Sequence, residues 1–169
     1  MSIQGHSVQS YTDDTFLTAS VARFITEGLQ VNDTVIIVAT AQHCEELRKA
    51  LTPEQVTHDK LMFFDAGEQL LKFMVSDWPS ALRFRQVVGS MIGQVRQNGP
   101  VRIFGEMVTV LWAEGYTRAA LRLEELWNKL ATEQPFSLLC AYPLSKFSGG
   151  KDNDSFLAIS RLYAHVHIQ

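Results

Sequence analysis

The sequence predicts an α/β fold, a mostly parallel central sheet with helices on both faces. Three observations carry this. Short apolar runs recur along the chain: VIIVAT, LMFFDA, VRIFGEM and FSLLCAY. Amphipathic helical stretches stand between them. Turn signals at Gly28, Pro53, Gly99-Pro100 and Pro135 separate the two kinds of segment. Runs without polar alternation are buried on both sides, and a parallel sheet buries both sides because each crossover lays a helix across it.

Element by element, His6 to Tyr11 reads as a short strand. Thr12, Asp13 and Asp14 then supply cap chemistry, a short side-chain oxygen accepting from free helical N–H groups. Phe16, Leu17, Val21, Phe24 and Ile25 follow at helical spacing, with Gly28 near the end. Asp33-Thr34 opens the second strand, and a helix spans about Gln42 to Leu51. Pro53 marks a loop, and Leu61 to Ala66 is the third strand. A helix is predicted over GEQLLKFMVSDW, broken by Pro79, and a further one over Leu82 to Val95. VRIFGEM is the next strand. Gly115 interrupts the helix after it, and Thr117 is predicted to cap its continuation. Ala120, Leu123, Leu126, Trp127 and Leu130 form that helix's buried stripe. FSLLCAY is a buried strand, SGGKDND a loop, and Ser155 to Ile168 a last helix or strand.

At 169 residues without a repeat or linker, the chain reads as a single domain, 1–169. The net charge of -3 and scattered basic residues argue against a nucleic-acid partner. No apolar run approaches the ~18 residues of a membrane span, and MSIQGHSVQSYTDD has no signal core, so a cytoplasmic location is expected. Cys44 and Cys140 form no C-x-x-C pair, and zinc sites usually need tighter local spacing. No metal or cofactor is expected. A divalent ion held by Asp13, Asp14 and Glu106 with His6 is the alternative, and the H-x-H at His165 and His167 is a weaker one.

Ligands of open parallel sheets bind outside the strand carboxyl ends. Those ends are Tyr11 to Asp14, Ala39 to Gln42, Asp65-Ala66, Gly105-Glu106 and Ala141-Tyr142. Glu106 closes a buried strand, and an unpaired buried acid is costly. It reads either as a pocket carboxylate for a cationic or hydroxylated ligand or as a first-turn acid favoured by the helix dipole. Asp13 and Asp14 read as caps or as a polar rim beside it. Tyr11 and Tyr142 end strands, and their hydroxyls need polar partners when buried. Trp112 and Trp127 read as core or as pocket wall. Glu114, Glu124 and Asn128 are polar groups inside otherwise apolar text. The candidate ligand-binding set is Tyr11, Asp13, Asp14, Glu106, Trp112, Glu114, Trp127, Asn128 and Tyr142, with no catalytic residue assigned.

HSVQSYTDDTFL, FFDAGEQLLKFM, FGEMVTVLWAEG, RLEELWN and PFSLLCAYP resemble the MEDS domain, the sensory domain named for methanogens, methylotrophs and a dichloromethane-responsive regulator. The similarity spans about Gly5 to Tyr142. One departure is Ser10, where the family usually has an aromatic before the tyrosine of its first motif. The resemblance implies a sensor of an unknown small molecule, in a family often fused to a histidine kinase or a DNA-binding regulator; with neither attachment seen in the sequence, signalling through a separate histidine kinase or transcriptional regulator, or by self-association, is expected. The element order is also similar, by fold-level analogy, to RecA-like and P-loop ATPases, three-layer sandwiches whose first strand leads into a phosphate loop. Here that connection is SYTDDTF, with no glycine to cradle phosphate and no lysine to meet its charge, so the nucleotide site would be degenerate.

Three functions follow as expectations. The first is a ligand-binding sensory domain without enzymatic activity. The second is a residual nucleotide- or metal-dependent hydrolase using Asp13, Asp14 and Glu106. The third is a ligand-free interaction module, with a homodimer expected.

Overall fold

The computed structural model describes residues 5–143 and the strand at His165–His167. In chain order the elements are β1 (His6–Tyr11), α1 (Asp14–Gln30), β2 (Thr34–Ala39), α2 (Ala41–Ala50), α3 (Pro53–Val56), β3 (Leu61–Asp65), α4 (Ala66–Phe73), β4 (Met74–Val75), β5 (Trp78–Pro79), α5 (Ala81–Phe84), α6 (Ser90–Val95), β6 (Val101–Gly105), α7 (Met107–Ala113), α8 (Thr117–Glu133), β7 (Ser137–Pro143) and β8 (His165–His167). A π turn at Arg85–Gly89 joins α5 to α6. Six parallel strands form the central sheet in the order β3-β2-β6-β7-β1-β8.

Local chemistry starts the helices. Asp13, Thr40, Asp65 and Ser80 each accept from the backbone N–H three residues on. Thr52 and Gln55 close a reciprocal capping box, so Pro53, read above as loop, is the first residue of α3. Two further expectations are corrected. The helix predicted over GEQLLKFMVSDW ends at Phe73, and Met74–Val75 pairs antiparallel with Trp78–Pro79. Ser76-Asp77 makes the turn between them, and Pro79 biases Trp78 away from helical backbone. Thr117 does not cap α8; Tyr116 holds the cap position without a side-chain bond, and Thr117 lies inside the helix. SGGKDND, and Ser155 to Ile168 apart from β8, lie outside the described residues.

Strand order decides which face each helix covers. The β1-to-β2 and β2-to-β3 connections step one way across the sheet, and the β3-to-β6 and β6-to-β7 connections step back. Right-handed crossovers therefore send α1 and α2 to one face and α4 to α8 to the other. The two cores agree. Leu17, Val21, Phe24, Ile25, Cys44 and Leu47 pack on Val35, Ile37, Ala39, Phe104, Leu139 and Ala141. Phe73, Phe84, Ile92, Met107, Leu123 and Trp127 pack on Val8, Ile36, Val38, Ile103, Leu138 and Cys140. Alternate residues of each strand serve opposite cores, which is why those strands read as unbroken apolar text.

One buried ion pair ties the α1 layer to the sheet. Arg102 of β6 donates through Nε to Asp33 at 2.9 Å and through its guanidinium to the Phe24 carbonyl at 3.2 Å. Gly28 lets α1 pass over it, because a Cβ there would lie 2.6 Å from Arg102 Cδ and 2.7 Å from Val35 Cγ2. Among the described residues, no helix is long and apolar enough to cross a membrane.

Candidate functional site

β2 and β6 are neighbours, yet the chain leaves them toward opposite faces, into α2 and into α7. Such a divergence opens a crevice at the strand carboxyl ends. Glu106 stands there. Its backbone N–H extends the ladder to the Val38 carbonyl at 2.9 Å. Its side chain turns away from α7 and makes no cap bond, contrary to the reading of a plain first-turn acid. One carboxylate oxygen accepts from the Thr40 backbone N–H at 2.9 Å, and the other lies 2.6 Å from His43 Nδ1. Glu106 is only 2 % exposed, so these partners replace the water it has lost.

His43 is therefore the centre of the site. It sits in the first turn of α2, its backbone N–H bonded to the Thr40 cap. Its Nε2 faces Asp14 Oδ1 of α1 at 3.3 Å. The hydrogen bond to Glu106 raises the imidazole pKa to about 9; burial opposes this, and the charges of Glu106 and Asp14 add to it. The ring thus carries a proton on each nitrogen at neutral pH. Tyr11 closes the α1 side of the crevice. Burial above all pushes its phenol pKa far up, helped by the negative charge of Glu106 and Asp14.

The connection from β1 to α1 contains only Thr12 and Asp13. The Asp13 carboxylate accepts from Phe16 N–H at 2.8 Å, at the helix terminus where an anion would otherwise bind. A carboxylate already seated there disfavours phosphate.

The nine predicted residues do not form one cluster. Tyr11, Asp14 and Glu106 come together at the carboxyl ends of β1 and β6 on the α1–α2 side, while Asp13 serves as the cap of α1. Trp112, Trp127 and Tyr142 belong to the opposite core. Trp127 packs edge-on against Phe84 at 5.2 Å and against Phe136 at 6.0 Å. Glu114 is exposed at the end of α7, and Asn128 offers His6 a hydrogen bond. His6 lies at the amino end of β1 against Phe136, at the other end of the strand from Asp13 and Asp14. The metal grouping of His6 with the three acids is thus not formed.

A second polar group lies under α8. Tyr142 donates a short hydrogen bond to Glu124, and both are fully buried. Burial lifts the Glu124 pKa to about 8, with the Tyr142 bond opposing, and pushes Tyr142 and neighbouring Cys140 well up. A thiol held protonated is a poor nucleophile.

Sequence reasoning missed His43, although it identified Ala39 to Gln42 as a carboxyl end and stopped one residue short. The signal was positional: a polar residue in the first turn after a buried strand points back over the sheet edge. It also left Glu124 outside the candidate set. On the other side of the molecule, at the amino ends of the strands, a cleft of about 1130 Å³ is lined by residues including Val31, Asp33, Arg96, Pro100, Pro135 and Phe136. It is remote from Glu106.

No curated protein matches the chain. One family model does, the MEthanogen/methylotroph, DcmR Sensory domain, and it covers residues 5–155. With the two-faced parallel sheet and most of the sequence inside that match, the chain belongs to the MEDS family of sensory domains.

Proposed function

We propose that this sensory domain binds a small molecule at the crevice between β2 and β6, through Glu106, and passes the bound state to a histidine kinase or transcriptional regulator. The observation that carries this is a carboxylate buried at the strand divergence and held, among the described residues, by one histidine side chain and the Thr40 backbone N–H. A ligand bearing a cationic or hydroxyl group competes with His43 for Glu106, and its apolar remainder rests on Tyr11. Displacing His43 loosens the start of α2 from the start of α7. That supplies two conformations with different ligand affinity, which a sensor requires. Sensing is the role of the family. The absence of glycine and lysine between Tyr11 and Phe16 favours binding without nucleotide hydrolysis.

The test is a thermal-shift screen of small organic cations and polyols. A ligand at about a hundred times its Kd adds about 2.7 kcal/mol and raises the melting temperature. The shift should vanish in Glu106→Gln. A broad screen without a shift, or a shift unchanged in Glu106→Gln, overturns the reading.

A further inference from the structure

We infer that Asp14, His43 and Glu46 form a site for one divalent metal ion of the zinc, manganese or cobalt type, at the outer rim of the crevice. Asp14 opens α1, while His43 and Glu46 are three apart on α2 and share its face. Their ligand atoms all lie within 4.8 Å of one another.

Two features distinguish this trio from a chance group of surface acids. The first is the separation of Asp14 Oδ1 and His43 Nε2, 3.3 Å. A charge-assisted hydrogen bond closes to about 2.7–2.9 Å. Two ligands of a tetrahedral ion with bonds of about 2.0–2.1 Å stand roughly 3.3 Å apart. The contact is a long ion pair whose atoms already stand at the edge length of a coordination polyhedron, so an ion can take the place of the shared proton with little rearrangement. The second is the support behind the ring. Glu106, outside the trio and buried, holds Nδ1 at 2.6 Å. A histidine whose inner nitrogen donates to a carboxylate holds its outer nitrogen in a fixed direction, the arrangement found behind metal-bound histidines, and an ion bound there displaces the Nε2 proton to solvent.

The third ligand can move into place. Among the described residues, Glu46 accepts bonds from Gln42 at 3.2 Å and from Thr18 Oγ1 at 3.5 Å. Three carboxylates, Asp14, Glu46 and Glu106, surround one imidazole, so a dication relieves their mutual repulsion. One nitrogen and two oxygen ligands suit borderline ions and leave a position for water or a ligand atom. Ion uptake needs no organic ligand, so it can be tested apart from the sensing reading above.

The experiment titrates the untagged chain with Co²⁺, following visible absorbance, and then displaces it with Zn²⁺. The double variant His165→Ala/His167→Ala is run alongside to remove the H-x-H pair. One equivalent should bind in both chains. Glu46→Gln, a near-isosteric change at a half-buried position, should weaken binding at least tenfold. Glu106→Gln should weaken it about 10–100-fold through the orientation of His43. No uptake, or uptake that survives Glu46→Gln and disappears in the double variant, overturns the inference.

Discussion

Glu106 shows how a single residue sets a local energy scale. A buried carboxylate whose only side-chain partner among the described residues is one imidazole depends on that imidazole. Removing one partner of a buried pair strands the other charge, at roughly 3–5 kcal/mol. His43→Ala should therefore cost about 3 kcal/mol in urea unfolding, and adding Glu106→Gln should return part of it. Asp14, half exposed on the other side of the ring, should behave differently. Asp14→Asn should cost less than about 1 kcal/mol, as exposed pairs do. Equal losses for the two single variants would show that His43 does not anchor Glu106. The sequence made Glu106 legible because an acid after VRIFG breaks apolar text. His43 was not legible, because its role depends on β2 lying beside β6, two strands separated by more than 60 residues of chain. No local pattern records that neighbour relation.

At the scale of elements, backbone geometry explains two positions that composition alone would treat as ordinary. Gly28 lies inside α1, where alanine is favoured by about 1 kcal/mol on helix propensity. The added methyl would meet Arg102 and Val35 below 3 Å. Arg102 cannot retreat without leaving Asp33 and the Phe24 carbonyl. Overpacking of this kind costs about 1–3 kcal/mol, so Gly28→Ala should be net destabilising in chemical denaturation. A stabilised variant would mean that α1 can lift from the sheet at little cost. Ser76 is the opposite case. It has φ 55 in the turn between β4 and β5, a conformation that costs an L-residue about 1 kcal/mol. Ser76→Gly should raise the melting temperature by a few degrees, as ~1 kcal/mol does in a domain of this size. An unchanged or lower melting temperature would show that the strain is relieved elsewhere. The strands and the Asp13 cap were readable because an apolar run and an aspartate before a helical stripe are local signals, whereas Thr117, read as a cap on the same kind of signal, lies inside α8. The β4–β5 hairpin was not, because Leu70 and Phe73 continue a helical stripe that only the turn at Ser76 cuts short.

The whole molecule is two cores back to back on one sheet, and the predicted site residues divided between them because alternate strand positions face opposite ways. Adjacency in sequence at a strand end did not mean adjacency in space: Tyr11 and Tyr142 end neighbouring strands but belong to opposite cores. The second core carries its own ionisable load in Glu124, and this fixes how global stability depends on pH. In the folded chain its pKa is raised from 4.5 to about 8. A group with a raised folded pKa contributes stability that is complete below its unfolded pKa and is lost as pH rises through the folded value. For Glu124 the loss runs from about pH 4.5 to about pH 8. The slope approaches ~1.4 kcal/mol per pH unit where the unfolded chain is ionised and the folded one is not. His43 is also raised, so its contribution falls between pH 6.5 and about 9. That second loss is common to wild type and to Glu124→Gln, and a comparison of the two chains cancels it. Glutamine keeps an acceptor for Tyr142 and has no proton to lose. Urea unfolding at intervals from pH 5 to pH 8 should show the variant gaining on wild type as pH rises, and exceeding it at pH 8. Parallel profiles would mean that Glu124 is not held protonated, and that the second core tolerates a charge at its centre.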